Sequence, residues 1–86
     1  MSKTEKLLNR FLSHPADFTY NELKRLMHAF GYKESRSGKT SGSQVAFINS
    51  ATQHIIRLQK PHPTPVLKKY QIKHAENELR RKGVIK

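Results

Sequence analysis

The residues of this chain best suited to chemistry stand in two short stretches. One is Lys60-Pro61-His62-Pro63, an imidazole between two prolines and next to a lysine. Imidazole titrates near neutral pH, so His62 can take up or release a proton there. The prolines hold the backbone around it. The other stretch runs from Ser35 through Gln44. Between Ser35 and Ser43 it carries four serines, two glycines, Arg36, Lys39 and Thr40. Arg36, Lys39 and Lys60 are candidates for binding phosphate. Ser43 and Gln44 can hydrogen-bond a scissile phosphate or a ribose hydroxyl, and Gly42 lets a backbone approach closely. Metal-free RNA cleavage needs these parts: a base near the 2′-hydroxyl, a cation on the phosphate and an acid at the leaving oxygen. His62 is the candidate base or acid. The competing reading of His62 is a structural residue in a Pro-rich turn, and that of Arg36 and Lys39 is an ordinary basic loop.

Charge supports a polyanionic partner. The 86 residues hold 17 Lys and Arg against 6 Asp and Glu, a formal charge of +11. Residues 1–31 carry 5 basic and 3 acidic groups, residues 32–60 carry 5 and 1, and residues 61–86 carry 7 and 2. The excess lies in the last two thirds, which points to nucleic acid or an acidic protein. Lys68, Lys69 and Lys73 extend the phosphate-binding set; their plain alternative is a solvated helix face. A membrane surface fits less well, because no Trp-bearing apolar face accompanies the basic residues.

Other classes are set aside by composition. There is no cysteine, so disulfides and thiolate metal sites are excluded and nothing indicates secretion. No apolar run approaches the roughly 20 residues of a membrane helix, and no signal-peptide core opens the chain. A cytoplasmic protein is the expectation. No pair of histidines has ligand spacing on one element, and no carboxylate cluster joins them, so neither a metal nor another cofactor is expected.

The positioning elements can be read in order. Ser2 and Glu5 fit a capping box ahead of a helix with Leu7, Leu8, Phe11 and Leu12 on one face, ended by His14-Pro15. Thr19 and Glu22 form a second box, with Phe18 stapled on Leu23. Tyr20, Leu23, Leu26, Met27 and Phe30 make the apolar stripe of the second helix, and Gly31 is its left-handed stop. Strands are expected over 32–37, 44–49 and 54–58, the second from the alternation of Val45 and Phe47 with Gln44 and Ala46. A last helix is expected from Thr64 or Pro65, with Ile72, Ala75 and Leu79 buried and Gly83 closing it. His14 and His28 read as surface residues, and His54 and His74 as isolated. The sum is one α+β domain over 1–86 in the order α-α-β-β-β-α. A chain this short buries only about 60% of its unfolded surface, so stability is marginal.

Gly31-Tyr32, Gly42-Ser43 followed by Phe47, Pro61-His62-Pro63 and the terminal Gly83-Val84-Ile85 together resemble the HicA toxin family. The likeness covers about residues 20–86 and implies that residues 1–18 are an additional N-terminal helix on a core of 19–86. It implies a small domain like those that bind double-stranded RNA, with a three-stranded antiparallel sheet packed on helices. It also implies a ribonuclease acting on messenger RNA, the toxin of a type II toxin–antitoxin system, held inactive by a HicB-type antitoxin. The family's histidine in Gly-Ser-His is Gln44 here, as in a longer branch with Pro-His-Pro that also lacks it. An amide does not titrate near neutrality, so acid–base catalysis is not carried over at that residue. A catalytically inactive RNA-binding module with the same surface is the alternative. A DNA-binding helix-turn-helix in the first two helices ranks below both, because their apolar stripes are committed to a core.

Overall fold

The helices are fixed by their caps and stripes. A computed structural model describes residues 3–36, 44–61 and 64–85. Helix α1 spans Lys3–Leu12 and buries Phe11 completely, with Leu7, Leu8 and Leu12 packed around the same core. Ser2, its expected cap, lies outside the described residues. Helix α2 spans Tyr20–Ala29. Its capping box is complete: the Glu22 amide donates to Thr19 Oγ1 at 3.2 Å, and the Thr19 amide donates to Glu22 Oε1 at 2.9 Å. Phe18, Leu23, Leu26 and Met27 are fully buried. Gly31, at φ +91°, turns the chain out of the helix, and its amide donates to the His28 carbonyl at 3.0 Å.

Strands β1 (Tyr32–Arg36), β2 (Gln44–Asn49) and β3 (His54–Gln59) form an antiparallel sheet in the order β1-β2-β3. Phe47 lies opposite both Glu34 and Ile56. Period-2 alternation sends Tyr32, Val45, Phe47, Asn49, His54 and Ile56 to the helix-covered face, where all are buried. Lys33, Ser35, Gln44, Ile55, Arg57 and Gln59 point the other way and are exposed. Asn49 organises the β2–β3 turn, its Oδ1 accepting from the amides of Ala51 at 2.9 Å and Thr52 at 3.3 Å.

Helix α3 spans Lys69–Arg81 and buries Ile72, Ala75 and Leu79 as its spacing requires. It begins later than Thr64 or Pro65. Pro65 to Leu67 instead pair with the residues just before α2: the Tyr20 amide donates to the Pro65 carbonyl and the Leu67 amide to the Phe18 carbonyl, both at 2.8 Å. That extended pairing replaces a first helical turn. At the other end Gly83 (φ +74°) donates to the Arg80 carbonyl and Val84 to that of Leu79, a Schellman cap. The order is α-α-β-β-β-α, a small α+β domain. No helix among the described residues is long and apolar enough to cross a membrane.

Ion pairs tie the elements together. Arg10 bridges Asp17 at 3.0 Å and Glu22 at 2.9 Å. Burial would raise the Glu22 pKa, but hydrogen bonds from Arg10 and Thr19 outweigh it and hold the carboxyl below its ordinary value. Two histidines read differently in three dimensions. His14 is half-buried and bonds through Nε2 to Glu76, which also pairs with Arg80. His54 is buried rather than isolated. Hydrogen bonds from Arg81 and His54 hold Glu78 below its ordinary pKa, so its carboxylate only accepts. His54 Nε2–H therefore donates to Glu78 at 3.0 Å, and Nδ1 accepts the Tyr32 hydroxyl at 2.6 Å. Burial, then the Glu78 charge, pushes the Tyr32 pKa up and keeps that hydroxyl a donor.

Candidate nucleic-acid interface

The candidate site is assembled where the end of β3 meets the start of α3. Gln44, first residue of β2, pairs with Gln59, last of β3, and Arg36 pairs with Val45 beside them. Arg36, Gln44 and Gln59 thus share one end of the sheet, and Lys60 follows directly. A single buried amide couples this end to the helix. Gln71 donates from Nε2 to the Gln59 carbonyl at 2.7 Å, and its Oε1 accepts the Lys68 amide at 3.0 Å. The Thr19–Val66 bridge pins the intervening chain against the start of α2. Gln71 thus ties the backbone of Lys68 to that of Gln59, the residue before Lys60.

Two hollows open here. One, of about 170 Å³, is lined by Gln59, Lys60, Pro61, Thr64, Val66, Lys68, Tyr70 and Gln71. The other, of about 290 Å³, is lined by Arg57, Leu58, Gln59, Tyr70, Gln71 and His74. Among the described residues, no carboxylate lines either. Lys60 Nζ sits 5.3 Å from the centre of the Tyr20 ring, a cation–π contact that steadies the ammonium. The Tyr20 hydroxyl donates to Glu34, which also pairs with Lys24 at 3.3 Å.

Five acidic side chains are engaged in ion pairs. Asp17, Glu22, Glu34, Glu76 and Glu78 each have a cationic partner within the chain. The first turn of α3 holds no acid and starts at Lys69, directly after Lys68. Cations at a helix N-terminus oppose the macrodipole. A local rule broken this way is typical of a functional surface, where a bound anion would relieve the repulsion.

The sequence-based candidates fall into two groups. Gln44, Lys60, Lys68 and Lys69 are brought to one end, with Arg36 closing β1 there and Lys73 exposed one turn along α3. Lys39, Gly42, Ser43 and His62 lie outside the described residues. Four residues were missed: Arg57, Tyr70, Gln71 and His74. Tyr70 breaks the Ile72-Ala75-Leu79 stripe and sits beside two lysines, a legible sign of an exposed aromatic. His74 Nε2–H donates to the Arg57 carbonyl at 3.2 Å. A carbonyl only accepts, so in the neutral imidazole Nδ1 is left as the acceptor.

The chain is thus a small α+β domain with a basic end. No protein-family model matches the chain, and neither a curated protein nor a solved structure matches it.

Proposed function

We propose that the protein binds RNA at this end and cleaves messenger RNA without a metal, as a HicA-type toxin neutralised in the cytoplasm by an acidic HicB-type antitoxin. The observation that carries the reading is a hollow lined by Lys60 and Lys68 and, among the described residues, by no carboxylate, at the end of the sheet where Gln44 pairs with Gln59. Phosphates would lie along the lysines, as they do on domains that read RNA through its backbone and 2′-hydroxyls. His62 remains the candidate acid–base group, and Ser43 and Gln44 the candidate phosphate contacts. An acidic antitoxin would cover the same lysines, with charge speeding encounter. The second reading, an RNA-binding module without catalysis, is favoured by Gln44: an exposed, non-titrating amide stands where the resemblance calls for histidine.

Pure protein incubated with labelled RNA, with and without chelator, separates the two. Cleavage that survives the chelator is the expected result. With four lysines on phosphates, log affinity falls by about 3 per tenfold rise in salt. RNA that is bound and protected but never cut selects the inactive module. RNA that is neither bound nor cut ends both readings.

A further inference from the structure

Tyr70 is 65% exposed, and of the large hydrophobic side chains among the described residues only Ile55 (39%) is also exposed. Its hydroxyl has no hydrogen-bond partner among the described residues. It lines both hollows. One holds Lys60 and Lys68; the other holds Arg57 and His74. Gln59 reaches both, and its side chain is exposed. An exposed aromatic face beside a hollow lined by Lys60 and Lys68 matches a nucleotide: base on the ring, phosphate on the lysines.

We infer that Tyr70 is a stacking platform for an unpaired RNA nucleotide, with Lys60 and Lys68 beside it for the phosphate. This rests on the RNA-binding reading and narrows it, because a base in a continuous duplex cannot leave its stack to lie on the ring. Single-stranded or bulged RNA is therefore the preferred ligand. Tyr70 makes no contribution to the buried core, so its replacement leaves the fold intact.

The test compares a labelled single-stranded oligoribonucleotide with a blunt duplex, for the wild type, Tyr70→Ala and Tyr70→Phe. The expected result is single-strand binding weakened about 5- to 150-fold in Tyr70→Ala, the range of base–aromatic stacking. Tyr70→Phe binds as the wild type does, and the duplex affinity of all three proteins agrees within about twofold, since backbone contacts alone hold it. Equal losses on both RNAs would mean that Tyr70 supports the surface without stacking, and would overturn the proposal. So would unchanged single-strand binding in Tyr70→Ala. Either result leaves RNA binding itself standing. A wild type that binds neither RNA removes the RNA reading, and the platform with it.

Discussion

Replacing Lys60, Lys68, Lys69 and Lys73 together by alanine is expected to weaken RNA binding on the order of 10³-fold in about 0.1 M salt, at roughly five- to eightfold per phosphate contact. The loss should shrink as salt rises, because the counterions those lysines displace are then less valuable to the solution. Lys68, Lys69 and Lys73 are exposed and Lys60 half-buried, so the fold should survive. Removing Lys68 and Lys69 also relieves the repulsion at the start of α3. Stability that holds or rises while affinity collapses is the signature of residues kept for a ligand. A control that removes Lys3, Lys6 and Arg25, which line a groove on the α1–α2 side, should cost far less. Filter binding or fluorescence anisotropy at several salt concentrations reads both effects.

The second large effect is on stability. Phe47→Ala should cost about 3–5 kcal/mol. Phe47 is fully buried at the middle of the central strand, with the Tyr20 ring 6.0 Å away. Tyr20 in turn carries the Lys60 ammonium, and its amide donates to the Pro65 carbonyl. A cavity under Tyr20 therefore loosens the basic end as well as the core. An 86-residue domain holds roughly 4–13 kcal/mol in all, so this one change takes much of what there is. Urea unfolding followed by far-ultraviolet circular dichroism measures it. A loss under about 1 kcal/mol would show that Phe47 is not the keystone its burial indicates.

Local rules made much of the fold readable. The Thr19–Glu22 box, the stripe from Tyr20 to Met27 and the Val45/Phe47 alternation each involve neighbours within a few residues. The start of α3 misled because Pro65 suits the first turn of a helix, yet its carbonyl is taken by Tyr20, 45 residues earlier in the chain. His14 and His54 misled for the same reason: their partners Glu76 and Glu78 lie 62 and 24 residues away. No spacing rule reaches that far. Gln71 was visible only as a polar residue at a buried position, one helical turn before Ala75. Its role follows once the Gln59 carbonyl is seen to need a donor. Of the candidate site, the lysines were legible from charge alone. Tyr70 and His74 were legible as types, but their placement beside Arg57 and Gln59 depends on how α3 packs along β3.

Amide chemical-shift mapping with a short single-stranded RNA tests most directly where the ligand sits. If the basic end is the RNA site, the largest shifts fall on Gln59, Lys60, Lys68, Lys69, Tyr70 and His74, while Lys3–Leu12 and the Asn49–His54 turn stay still. Shifts concentrated on α1 or on that turn, with the start of α3 unmoved, would contradict it.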